Sequence, residues 1–309
     1  MQTISQTQLM FRRFRAHRLG MLGAIILAFL YLVVIFAPFV APTDYLQQRR
    51  DYVNHPPTRI RWIDDEGNFS LRPFVYGTVR RRDPITLEVF WEEDYSKKYP
   101  IYFFVRGSSY KFLGIETDIH LFGVDRDSGG QIFLFGTDRF GRDLFARTLY
   151  GGRVSMSVGI FGIALSMVIG VAMGGISGYY GGMIDNIIQR LIELLRSFPR
   201  IPLWLAFSMI LPPNWSSVKV YFGVVTILSL LDWTGIARVV RGQVPNLRSK
   251  EFVEAARALG AADRKIIFRH ILPNITSYLI VTATLSFPGM IMGESTISFL
   301  GLGIKEPMT

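Results

Sequence analysis

The chain has 309 residues, 50% of them hydrophobic and 14% aromatic, with a formal net charge of +10 and no cysteine. That apolar share and a positive mean hydropathy exceed what one or two ordinary soluble domains carry, and they read as a polytopic membrane protein. The basic excess gathers beside apolar runs, not in a stripe interleaved with aromatics, which argues against nucleic acid; lacking cysteine, the chain has no disulfide framework, thiolate metal site or cysteine nucleophile.

Arg12, Arg13, Arg15 and Arg18, with Phe11 and Phe14, make residues 1–18 a basic amphipathic lead-in, which the positive-inside rule places in the cytoplasm. Residues 19–40 predict a retained first transmembrane helix, long enough for a hydrocarbon core of about 30 Å, with Pro38 and Pro42 at its outer exit. Residues 41–135 then turn charged, aromatic and turn-rich, as expected of a small β-rich extracytoplasmic insert. Strands are expected at 99–106 and 131–135, and turns at 64–68 and 127–130. Asp125, Asp127 and Gly129 sketch the start of a calcium loop but lack its later glycine and terminal glutamate, so they read as a surface turn. His55, Glu92, Glu93 and Asp94 have neither metal nor catalytic spacing and read as solvated residues. Tyr99, Tyr102, Phe103 and Phe104 either fill the insert's own core or face a partner.

Within residues 136–155, GTDRFGRDLFARTLYGGRVS, Arg142 and Asp143 read as a membrane-edge anchor and local salt bridge, with a substrate-facing pair as the alternative. Residues 154–177 form the next expected span. Gly170, Gly174 and Gly178, followed by Gly182, recur every four residues and clear one helical face for close packing. A third span is expected from Asp185 past Pro199 and Pro202 to Leu211, with Glu193 and Arg196 placed to pair. A fourth runs over 218–240, with Trp233 suited to the membrane interface, and a fifth over 275–292. Between the last two, eight Lys/Arg at 238, 241, 248, 250, 257, 264, 265 and 269 face Glu251, Glu254 and Asp263, which places this loop inside.

The loop itself, EFVEAARALGAADRKIIFRHILPN at 251–274, predicts a short helix with Phe252, Ala255, Ala256 and Leu259 on one apolar stripe. Ser249 is placed to cap it, Glu251 and Glu254 sit in its first turn, and Gly260 supplies the residue that ends it. Asp263 is placed to cap a second helix that must stop or bend before Pro273.

Glu254-Ala255-Ala256, Gly260 and Leu272-Pro273 resemble the "EAA loop" of permease subunits in bacterial ABC importers, with His270 where the broad pattern has an aliphatic residue. RHILPN at 269–274 is similar to the dipeptide/oligopeptide (and nickel) permease branch. So are the GTD, GRD and G-x-R-x-S elements of 136–155, WTGIARVVRGQV at 233–244 and ESTISFLGLGI at 294–304. The resemblance implies an all-α polytopic membrane protein of the binding-protein-dependent ABC importer fold. Five spans are expected here, with a sixth missing after Thr309, and 136–309 forms the core permease domain.

In function the resemblance implies a non-catalytic, C-type permease subunit that moves peptides inward across the cytoplasmic membrane; nickel, glutathione or another small solute is the alternative cargo. The implied partners are a second homologous permease subunit, two cytoplasmic ATPase subunits, an extracytoplasmic substrate-binding protein and membrane lipid. In that family the EAA loop docks in a groove of the ATPase, which assigns coupling to Glu251, Phe252, Glu254, Ala255, Ala256, Arg257, Leu259 and Gly260. No Walker motif occurs, so this chain is expected to hold no cofactor, and ATP and Mg would be bound by the partner subunits. A membrane-anchored enzyme in 41–135 would need an acid–base pair, nucleophile or metal cluster that the insert does not spell out, and a passive channel would carry flux without ATP.

Overall fold

The computed structural model describes residues 12, 14–112, 114–305 and 308; Phe11 and Arg13 of the basic lead-in lie outside the described residues. Two compact units divide the chain, Met1–Arg153 and Val154–Thr309.

The first unit opens with helix α1 (Arg18–Ile35), whose N-cap His17 accepts from the Gly20 amide through Nδ1 at 2.9 Å. Leu22, Ile26, Phe29 and Leu32 of α1 are all exposed, a surface that suits lipid and not water. A one-turn helix, Ala37–Val40, follows. The sheet is an antiparallel meander of β1 (Arg61–Ile63), β2 (Phe69–Arg82), β3 (Val89–Phe112) and β4 (Ile115–Val124), in that spatial order. Strand β3 is shared: Val89 to Pro100 pair with β2, and Ile101 to Phe112 pair with β4. Val75, Ile101 and Ile132 form its small buried core, with half-buried Tyr99 against it.

Two expectations for this unit need correction. Residues 131–135 form no strand: Phe133 accepts from the Thr58 amide at 2.8 Å and donates to Thr58 Oγ1 at 3.0 Å, and its carbonyl also accepts from the Gly136 amide at 3.1 Å as a local turn. Burial of Ile132 and Phe133 holds the segment instead of a ladder. His55 is buried, not solvated; its Nε2 meets Thr78 Oγ1 at 2.8 Å, its Nδ1 meets the Pro56 carbonyl at 2.6 Å, and Tyr52, Trp91 and Phe133 surround the ring. Burial lowers the imidazole pKa below its ordinary value.

The second unit is built on α2 (Leu144–Tyr180) from Val154 onward and on α5 (Ser217–Arg248), with α3 (Gly182–Ser197), α4 (Arg200–Ser208), α6 (Glu251–Ala258) and α7 (Asp263–Phe299) packed around them. Among the described residues α1, α2, α5 and α7 are each long and apolar enough to cross a membrane. The expected continuous helix from Asp185 past Pro199 does not form; the chain breaks between α3 and α4, with Phe198 extended at φ −89° and ψ 142°. The proline ring crowds the residue before it out of the helical region, and Pro199 then serves as the N-cap of α4, where no amide is needed. Arg190, not Arg196, takes Glu193, at 2.9 Å. Trp233 is buried in a cluster with Ile188 and Ile192 of α3.

The glycine face of α2 lies directly on α5. A Cβ at Gly170 would stand 2.6 Å from Ile236 Cβ, one at Gly174 2.8 Å from Val240 Cβ, and one at Gly178 2.8 Å from Val244 Cβ, with α5 carbonyls equally close. Gly182 is not part of this seam; it opens α3 at φ +55° with open space around it. The backbones therefore touch along two turns and more, and no side chain fits between them.

Gly174→Val is predicted to force the two helices apart and to lower thermal stability of the detergent-solubilised chain by about 1–3 kcal/mol or more. Gly235→Ala in α5, where a Cβ meets nothing within 4 Å, is predicted to leave stability unchanged or slightly raised. Equal melting temperatures for Gly174→Val and the parent chain would remove the seam from the account.

Candidate coupling helix and its seat

Helix α6 carries acids in its first turn, Glu251 and Glu254, and Arg257 in its last, each matched to the helix dipole. Its N-cap is Lys250, which contributes only its carbonyl; Ser249 instead donates from Oγ to the Asn246 carbonyl at 3.4 Å. The C-terminal end closes as a Schellman turn: Gly260 stands at φ +76°, its amide donates to the Arg257 carbonyl at 2.9 Å, and the Ala261 amide donates to the Ala256 carbonyl at 3.0 Å. The left-handed backbone is what requires glycine here.

The predicted stripe splits. Val253 is 0% and Ala256 7% exposed, and both sit in a cluster with Tyr179 of α2, Ile236, Val240 and Val244 of α5, and Ile266, Ile267 and Ile271 of α7. Phe252, Ala255 and Leu259 stay outside it, Leu259 at 88% exposure. Ala256 thus belongs to the inner seat, while Phe252, Ala255 and Leu259 remain together on a face turned away from it. Glu251, Glu254, Arg257 and Gly260 are exposed beside that face.

Polar contacts fix the seat from below. Tyr179, at the last turn of α2, donates from its hydroxyl to Asp263 Oδ1 at 2.6 Å and accepts from Arg257 Nη2 at 3.3 Å; the Arg248 guanidinium lies over its ring at 5.4 Å. One tyrosine thereby ties α6, the start of α7 and the end of α5 to α2. The Tyr179 hydroxyl also holds the Arg257 guanidinium above its ordinary pKa. Beside it, Asp185 of α3 accepts from Arg241 of α5 through both oxygens, Nε and Nη2 each at 2.6 Å, and from Ser177 Oγ at 2.5 Å. Such a two-pronged pair fixes orientation as well as distance. Asp263 stands at the first helical position of α7, with Ala262 as N-cap. The chain does not stop before Pro273: it passes through a π segment, Ile266–Ile271, and a 3-10 turn, Leu272–Ile275, so that the proline falls where no amide donor is missed.

Tyr179 and Val253 were not singled out from sequence, and Asp185 was read only as the start of a helix, whereas it stands in the first turn of α3 with Gly181 as N-cap. Val253 carried a signal, since Val253 and Ala256 are themselves three apart on a helix; the pairings of Tyr179 and Asp185 carried none, their partners lying 84 and 56 residues away.

In the first unit, the GTD and GRD glycines are pressed against backbone. Gly136, at φ +78°, faces the His55 carbonyl and Gly141, at φ +73°, faces that of Arg49, leaving no room for a Cβ. Thr137 anchors the same segment, accepting from the His55 amide at 2.8 Å and donating to the Tyr52 carbonyl. Arg142 pairs with Asp138 at 2.8 Å; buried Asp143 accepts from Thr43 Oγ1 at 2.7 Å and from the Phe145 amide at 2.9 Å, and burial raises its pKa. These residues hold a loop. Among the described residues no three His, Asp or Glu side chains gather to hold a metal.

The sequence model described as "Binding-protein-dependent transport system inner membrane component" matches residues 166–307, and that described as "N-terminal TM domain of oligopeptide transport permease C" matches residues 5–57. The chain is 42% identical over 200 residues to the oligopeptide transport system permease protein OppC of Haemophilus influenzae, covering 65% of this chain and 62% of that one. It is 30% identical over 305 residues to the dipeptide transport system permease protein DppC of Bacillus subtilis, covering 99% and 71%. With DppC of Lactococcus lactis the identity is 31% over 298 residues, covering 96% and 74%. On these matches, together with four helices long and apolar enough to cross a membrane, the chain belongs to the family of binding-protein-dependent transport system inner membrane components, in its oligopeptide and dipeptide permease branch.

Proposed function

We propose that this chain is a translocating subunit of an ATP-driven importer of peptides, and that α6 is the element through which a cytoplasmic ATPase acts on it. The observation that carries this reading is the division of α6 into a seated side, Val253 and Ala256, and an open apolar side, Phe252, Ala255 and Leu259. An eight-residue helix is too short to hold itself in water, so its seat supplies the rigidity and its open side is free to receive a partner. Force applied to that side reaches α2 through Tyr179, α5 through Val240 and Val244, and α7 through Asp263. The relatives are named as peptide permeases, which favours peptide cargo here.

The amino terminus and α6 lie in the cytoplasm and the sheet unit lies outside, as the basic residues around α6 and before α1 favour. The working complex contains a second homologous permease subunit, two ATPase subunits that bind ATP and Mg, and an external binding protein that delivers the peptide. The broken pair α3 and α4 supplies a fifth crossing.

Ala255→Asp is predicted to leave thermal stability within about 0.5 kcal/mol of the parent chain while reducing ATPase co-purification and ATP-driven peptide uptake in membrane vesicles at least tenfold. Ala256→Asp buries an unpaired carboxylate in the seat and is predicted to destabilise by several kcal/mol, about 3 being typical, before any partner is added. Normal uptake by the Ala255→Asp complex would contradict the docking assignment; normal stability of Ala256→Asp would contradict the seat. For cargo, labelled peptide should accumulate only with ATP and binding protein present, and accumulation of a metal ion or glutathione in its place would replace peptide as the substrate.

A further inference from the structure

Of the four insert aromatics expected either to fill a core or to face a partner, only Tyr99 packs into the core. Phe103 is 67% and Phe104 68% exposed, and at the far end of the same hairpin Ile115 is 71% exposed. These residues are not scattered over the sheet. Phe104 stands at φ +56°, outside the β3–β4 ladder, with its ring 6.1 Å from that of Phe39; Phe112, paired across the strands with Ile115, lies 5.2 Å from Phe36. His120 of β4 adds a tether, its Nδ1 2.5 Å from the Ala41 carbonyl. The hairpin is thus fastened to the carboxyl end of α1.

We propose that the β3–β4 hairpin is a second membrane contact of this chain, with Phe104 and the tip around Ile115 set into the boundary between acyl chains and headgroups where α1 leaves the bilayer. The proposal rests on the reading that α1 crosses a membrane. An 18-residue helix is about 27 Å long, close to the hydrocarbon thickness of about 30 Å, so Phe36 sits at the edge of that core and carries Phe112 there with it. The apolar surface is continuous, since Leu32, Ile35 and Phe36 of the helix end are exposed as well. The tip is also amphipathic in the manner an interface asks for. Phe112 pairs with Ile115 on one face, and the next pair, Lys111 with Glu116, presents both charges on the other. At the headgroup level the free strand edge keeps its water, which it would lose deeper in the bilayer. Lipid is favoured over a protein partner because the patch is an extension of the lipid-facing helix and is held at its depth.

The chain has no cysteine, so single cysteines at Ile115 and at Phe104 can carry a bimane label in the full chain, reconstituted alone. Phe29, exposed midway along α1, gives a reference in the membrane, and Ile85, 90% exposed in the β2–β3 turn, one in water. Lipids brominated on the acyl chain should quench the labels at 115 and 104 at least half as strongly as that at 29, while aqueous iodide quenches them at least threefold less than that at 85. Iodide quenching equal to that at 85 would overturn the proposal. So would protection from both quenchers, which would mean that protein covers the patch. If the label at 29 is itself untouched by brominated lipid, the reading of α1 fails and the proposal falls with it; if only 115 and 104 are untouched, α1 stands and the hairpin assignment alone is lost.

Discussion

The second unit is organised by the missing side chains at Gly170, Gly174 and Gly178. With no Cβ on that face, the backbone of α2 rests on the carbonyls and β-carbons of α5 from Trp233 to Val244. Dispersion and close backbone packing, not exclusion of water, are the forces available between helices in lipid, and both depend steeply on separation. The seam has a consequence at one end. It brings Tyr179 of α2 and Val244 of α5 together, and these two surfaces, with the isoleucines of α7, make the seat for α6. A bulky residue at any of the three glycines would move the floor under a helix that cannot fold alone.

The seat combines a dry patch with a polar lock. Val253 and Ala256 are small enough to enter the cluster, and the Tyr179 hydroxyl satisfies Asp263 and Arg257 at its rim. Asp185 and Arg241 close the neighbouring edge, tying α3 to α5. A short helix held in this way is tied by packing and hydrogen bonds to the ends of three long ones, the arrangement that the proposed coupling role requires. The Schellman turn at Gly260 directs the chain back at once into α7, so no slack separates α6 from the helix it would drive.

Much of this could be read along the chain, because the relevant signals are local. The first-turn acids, the glycine that ends α6, the four-residue glycine spacing and the turn at 64–68 each depend on a few neighbouring residues; in that turn Asp64 accepts from the Asn68 amide at 2.7 Å. What sequence left open was direction and distance. Residues 252–259 hold two overlapping apolar sets, Phe252, Ala255 and Leu259 against Val253 and Ala256, and only the tertiary packing decides which turns inward. The burial of His55, which lies in the irregular segment before β1, could not be inferred because Thr78 and Trp91 reach it from β2 and β3. The helix break at Phe198 was legible in the Phe-Pro step, but the apolar run across it argued for continuity. Glu294, buried in α7 between Ser155 at 3.2 Å and Ser298 at 2.7 Å, is a further buried acid that no spacing rule announces.

The claim on which the functional account turns is that the open side of α6 meets an ATPase. Photo-crosslinking residues placed singly at Phe252, Ala255 and Leu259 in the assembled complex test it without removing the seat. Crosslinks from all three positions to the ATPase subunit are the predicted result. A complex that still hydrolyses ATP and imports its cargo but yields no ATPase crosslink from any of the three would contradict it.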